Sequence, residues 1–146
     1  MAMYLLAIVI GACMVLVVPI NAALGRHIGQ VEAGVVNFTV GLACVLAVSA
    51  AAGRGDWAAI AGARPWQLMG GLLGAAIVVL SVVAIGSLGA ARLFTVVVLT
   101  QLAVSVIIDH FGLLGVETRP ANGWVFAGLV LAAIGTLLVQ LFRPGP

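Results

Sequence analysis

The sequence predicts an all-α integral membrane protein of five transmembrane helices, and three observations carry that prediction. Hydrophobic residues make up 64% of the 146 positions and charged residues 7%, and the mean hydropathy of +1.33 is one that no water-soluble domain of this size shows. The charges divide the chain into five long uncharged stretches, Ala2 to Gly25, Ala33 to Gly53, Pro65 to Ala91, Leu93 to Ile108 and Pro120 to Phe142. The Leu93 stretch crosses a bilayer once it continues into Asp109, and the others cross unaided. Tyr4, Trp57, Trp66 and Trp124 fall at the segment ends, where an interfacial aromatic belt places them. The expectation is a single five-span domain over 1–146, with approximate spans 2–24, 33–53, 66–86, 92–114 and 122–142. So little chain is left for loops that a separate soluble domain is excluded.

No Lys or Arg precedes Arg26, so the first span lacks the basic leader of a secretory signal and is read as retained. Pro19 removes a backbone hydrogen bond and should kink its last turns. Just beyond, Asn21 either satisfies the carbonyl freed there or faces a cavity and contacts a ligand. Gly25 to Gly29 read as a short polar exit.

In the second span Asn37 lies one turn past Glu32 and should face other helices, as packing glue or as a ligand contact. The connection with Arg54, Asp56 and Trp57 reads as an amphipathic surface loop. The third span carries Gly70-x-x-x-Gly74, which lets a neighbouring helix approach closely. The small-residue loop from Gly86 to Arg92 should make the third and fourth spans antiparallel neighbours.

The fourth span organises the rest. Leu93 to Ile108 reaches about 24 Å as a helix, short of the roughly 30 Å hydrocarbon core, so Arg92 or Asp109 must be drawn toward it. Gln101, Ser105 and Asp109 stack on one face at i, i+4 and i+8, with Gly112 nearly in line. An ionisable group at that depth is a functional-site hypothesis, against the alternative that Asp109 ends the helix among headgroups. Glu117, Arg119 and Pro120 then form a turn. In the last span Gly128, Ala132 and Gly135 share a face that suits close helix packing.

Other classes are excluded by what the sequence holds. Cys13 and Cys44 sit in apolar runs and give no disulfide or metal framework. The net charge of +2 comes from arginines spread singly among the loops, unlike a nucleic-acid surface. Neither His has a partner acid or Cys at ligand spacing and there is no nucleophile motif, so no enzyme, metal or cofactor is expected. Five spans put Arg54, Arg64 and Arg119 on one side and Arg26, Arg92 and Arg143 on the other. With no positive-inside bias, the chain is expected to insert both ways and pair with an inverted copy.

These residues together resemble a half-size, five-span bacterial inner-membrane branch of the drug/metabolite transporter superfamily, a branch without an assigned function. The resemblance covers nearly the whole chain. It rests on Ile20-Asn21-Ala-Ala-Leu-Gly-Arg26, Phe38-x-x-Gly41, the Gly70 to Ala75 cluster, Gly86-x-x-Gly89-Ala-Ala, Gln101, Ile108-Asp109-His-Phe-Gly112, and Gly128 to Gly135. From Phe111-Gly112 onward the chain is also similar to the small multidrug resistance proteins, distant four-span relatives that work as antiparallel pairs. The resemblance implies that the chain is one half of a ten-helix inverted-repeat transporter. The sequence departs from those relatives in having no acid in its first span, and from the five-span branch in the apolar turn Val17 to Ile20 before Asn21.

The functional expectation is a small-molecule transporter of the inner membrane, working by alternating access as an antiparallel dimer. Its site would be built from Gln101, Thr100, Ser105, Asn37 and Asn21, with Asp109 carrying a coupling proton. Gly128, Ala132, Gly135, Gly70 and Gly74 would pack the dimer. The partners are then an inverted copy or a homologous half, the lipid bilayer and the solute. The alternative is a non-transporting assembly or regulatory subunit, in which the same polar groups only hold helices together. Without a mid-depth carboxylate to balance a permanent cation, the solute should be neutral or zwitterionic and partly apolar. An inward-facing Arg92 would instead select an anion. An Arg92 on an inverted copy would also be placed to bridge Asp109.

Overall fold

The computed structural model describes residues 1–142, so Arg143, counted in the charge balance above, lies outside the described residues. Five helices are long and apolar enough to cross a membrane. They are α1 (Ala2–Ile28), α2 (Gln30–Ala52), α3 (Met69–Leu88), α4 (Ala90–Phe111) and α5 (Gly123–Phe142), and no strand occurs among the described residues. The chain forms two compact units, the first Met1–Ser87 and the second beginning at Leu88.

In the first unit α1 is a 27-residue helix that continues through Pro19 to Ile28. Gly25 to Ile28 are therefore its last turn and not a polar exit. Arg26 and His27 lie where the helix dipole and its unpaired carbonyls favour positive charge. The reversal is made at Gly29 (φ 102, ψ 149), a backbone region essentially confined to glycine. Its N–H donates to Gly25 O at 3.0 Å and its carbonyl accepts from Ala33 N at 3.0 Å. Because α2 starts at Gln30, Glu32 lies in its first turn, the favoured end for an acid, and not in a connection.

Helices α2 and α3 approach through small residues. A Cβ built on Gly34 would lie 3.7 Å from Val78, and one on Gly74 would lie 3.8 Å from Phe38. Between them the connection forms two exposed 3₁₀ turns, Trp57–Gly62 and Pro65–Leu68. Asp56 Oδ1 caps the first by accepting from Ala58 N at 2.9 Å. Val18, Ala33 and Val82 are buried in this unit together with Asn21.

In the second unit α4 has 22 residues, about 33 Å of helix, and so reaches across a hydrocarbon core only by including both Arg92 and Asp109. It stops at Phe111, earlier than the expected 114, because Gly112 turns left-handed (φ 61, ψ 35) and donates its N–H to Ile108 O. Gly112 is thus the cap of α4 and not a further step of its polar face. The return to α5 is tied down by Arg119 N donating to Asp109 O at 2.7 Å and Ala121 N donating to His110 Nδ1 at 3.0 Å. Helix α5 is bound to α4 by Gln140 and Thr136, whose side chains donate to main-chain oxygens of Arg92 and Thr95. Much of the helix surface of both units is apolar: Leu72 is 66% exposed and Leu131 70%, as suits contact with lipid tails.

Candidate functional site

The predicted site residues divide between the units. Asn21 and Asn37 belong to the first, while Thr100, Gln101, Ser105 and Asp109 belong to the second. Thr100 Oγ1 donates to Val96 O at 2.9 Å and Ser105 Oγ to Leu102 O at 3.0 Å. Both hydroxyl protons are thus spent on the helix's own backbone, which leaves lone pairs to accept from a ligand. Gln101 is exposed, halfway along α4, and Asn37 and Asp109 are half-buried.

Asp109 has a chemically distinct setting. Its carbonyl oxygen holds the Arg119 main chain, whereas the Arg119 guanidinium pairs with Glu117 at 3.0 Å. That pair is exposed on both sides, so the nearest basic residue in the turn is committed away from the Asp109 carboxylate. His110, the next residue, accepts through Nδ1, which fixes its proton on Nε2.

Asn21 is 4% exposed, and its Nδ2 has no hydrogen-bond partner among the described residues. An amide cannot supply a donor to the carbonyl freed by Pro19 without such a bond, so that structural role for Asn21 is not realised. The residue instead lines a cavity of about 350 Å³ whose other walls are apolar, among them Val9, Met14, Val17 and Val78. A second cavity of about 400 Å³ is bounded by Arg26, Gln30, Val82 and Gly86. In the second unit a cavity of about 450 Å³ lies between α4 and α5, with Thr95, Thr136, Ala132 and Gly135 on its walls.

The proposed packing positions also differ among themselves. Gly70, Gly128 and Gly135 would have a Cβ in open space, whereas Gly74 faces Phe38 of its own chain. Sequence reasoning missed Thr95, Thr136 and Gln140. The available signal was the i, i+4 spacing of Thr136 and Gln140, which puts two polar groups on one turn of an otherwise apolar helix.

Comparison with known families decides what such a set of helices belongs to. The family described as "Putative inner membrane exporter, YdcZ", a drug/metabolite transporter type, matches residues 2–138. The chain belongs to this YdcZ family. It is accordingly a multi-pass inner-membrane protein of a transporter family, as its five apolar helices require. No curated protein matches it, and no solved structure does.

Proposed function

We propose that the chain is a small-molecule exporter working by alternating access as an antiparallel homodimer, with Asp109 as the proton-coupling group. The observation that carries this reading is the exposed Gln101 in the middle of a bilayer-crossing helix, flanked along the helix by Thr100, Ser105 and the half-buried Asp109. Polar groups at that depth are stable against protein or a water-filled cavity and not against lipid tails. A second, inverted copy supplies that cover, and the balanced arginines leave either orientation open to insertion.

In this reading the solute passes between copies past Gln101, Thr100, Ser105, Asn37 and Asn21. It is partly apolar and not a permanent cation, since no acid lies at mid-depth. The open positions Gly70, Gly128 and Gly135 let helices of the partner approach closely, with Gly74 and Ala132 beside them. The competing reading, a membrane subunit that transports nothing, uses the same polar groups as helix contacts alone.

A thermal-shift screen of metabolites on the purified protein, followed by counterflow in proteoliposomes with each stabilising compound, separates the two. Stabilisation together with counterflow supports the exporter. Stabilisation without counterflow by any compound favours the subunit.

A further inference from the structure

In the first unit one face of α1 borders the cavity of about 350 Å³. Val9, Cys13, Val17 and Asn21 follow one another on that face at four-residue steps, and Ile77 and Val78 of α3 close the other side. Among the described residues on these walls there is no carboxylate, Arg, Lys or His, and Asn21 supplies the one amide. The cavity is thus an apolar space with a single hydrogen-bonding side chain at one end.

That side chain is 4% exposed, and its Nδ2 meets no acceptor among the described residues. A buried donor left unpaired carries its full desolvation penalty, so an occupant that brings an acceptor stabilises the site. The terminal torsion of an Asn is broad, and the amide turns its nitrogen toward the cavity without moving the helix. Two ordinary occupants do not meet this need. Water is held by about two to four polar partners and finds one amide here. A lipid tail fills apolar space, but its first acceptor, the ester carbonyl, lies at the edge of a hydrocarbon core of roughly 30 Å, about 15 Å from the midplane. Asn21 is six residues past Val15, the midpoint of α1, and so about 9 Å from the midplane of a bilayer on which the helix is centred.

We propose that this cavity binds a neutral, mainly aliphatic molecule with a single carbonyl acceptor, its chain against Val9 to Val17 and Val78 and its oxygen accepting from Asn21 Nδ2. A charge of either sign would find no partner on the walls and would be left buried and uncompensated. The volume of about 350 Å³ stands at the lower end of the roughly 300–1,000 Å³ usual for small-molecule sites, which suits a medium-length chain. The inference deepens the export reading by giving the class of solute, and rests on that reading for the movement of the bound molecule.

The test uses the full chain in phosphatidylcholine nanodiscs, a decanone carrying a photoreactive diazirine in its chain, and peptide mapping of the crosslinks. The expected result is labelling of α1 between Val9 and Val17 and of α3 at Ile77 and Val78. With competitors matched at equal concentration within the bilayer, decanone should displace the probe, and decane should do so about fivefold to tenfold more weakly, the factor that one neutral hydrogen bond contributes. Decanoate and decylammonium should be weaker than decanone as well. In Asn21→Leu the preference for decanone over decane should vanish. Cys13→Trp fills the cavity from an exposed position of α1 and should suppress labelling, which keeps the site testable where the Asn21 variant does not fold. Equal competition by decane or by either ion, a ketone preference that persists in Asn21→Leu, labelling that survives Cys13→Trp, or labelling of the same residues by a photoreactive phosphatidylcholine tail that decanone does not displace would overturn the proposal. Counterflow of a solute without this labelling would leave export standing and remove the site, whereas labelling with the ketone preference and no counterflow would do the reverse.

Discussion

Gln140 of α5 donates its side-chain amide to the main-chain oxygen of Arg92 in α4 at 3.0 Å, and reaches Thr95 Oγ1 at 3.3 Å. Thr95 in turn donates within its own helix to Ala91 O and Arg92 O, both at 3.0 Å. One amide therefore fastens the end of α5 to the first turns of α4, a place where no hydrophobic force between helices operates because lipid tails are as apolar as the side chains.

Replacing Gln140 with Leu should lower the stability of the folded state by about 0.6–1.7 kcal/mol, the range found for interhelical hydrogen bonds in membranes. Unfolding in mixed micelles measures it. A Thr95→Val, Gln140→Leu double variant should lose less than the sum of the single losses, since the two side chains share a bond.

The turn between α1 and α2 gives a second expectation. Gly29 holds φ at 102°, and a Cβ there would fall on the carboxylate of Glu32. Gly29→Ala should cost about 1–3 kcal/mol through backbone strain. Adding Glu32→Ala should recover only the part due to the clash, which separates strain from contact in the same unfolding measurement.

These two features show how far the sequence could be read. Five spans were legible because uncharged runs of bilayer length admit no other structure in lipid. The ends were less so. The sequence ends the first span before Arg26 and His27, yet charges at a helix C-terminus extend it while their stems remain near the membrane surface. Spacing alone puts Gly112 on the polar face of α4 and does not reveal that its φ is positive. Of the candidate site, the exposed Gln101 and half-buried Asp109 face of α4 follows from periodicity. The orphaned Asn21 amide does not, because its burial depends on packing between helices, which no local pattern encodes. Gln140 and Thr136 share a helix turn by spacing, but spacing does not show that their acceptors are main-chain oxygens of α4.

His110 supplies the next prediction. Its Nδ1 is the acceptor for Ala121 N–H, and its ring meets Phe111 edge-on at 4.7 Å between centroids. His110→Phe keeps an aromatic ring but leaves that N–H without an acceptor, at a cost of roughly 1 kcal/mol. Hydrogen exchange at Ala121 should then be about fivefold faster, with exchange in α1 unchanged.

Asp109→Asn tests the coupling role. The variant should still crosslink as a dimer and exchange solute, but should no longer accumulate it in response to a pH gradient across proteoliposomes. Accumulation that survives the substitution removes Asp109 from coupling. Loss of the dimer assigns it instead to a bridge with the Arg92 of an inverted copy.

The pairing of inverted copies is the claim on which the transport cycle depends, and one labelling experiment addresses it directly. In a chain lacking Cys13 and Cys44, both exposed thiols, Phe142→Cys places a single reactive group at the end of α5. A membrane-impermeant maleimide applied to intact cells, and separately to inverted membrane vesicles, should label about half the molecules from each side, as an antiparallel homodimer requires. Labelling of all molecules from one side and none from the other would contradict the account.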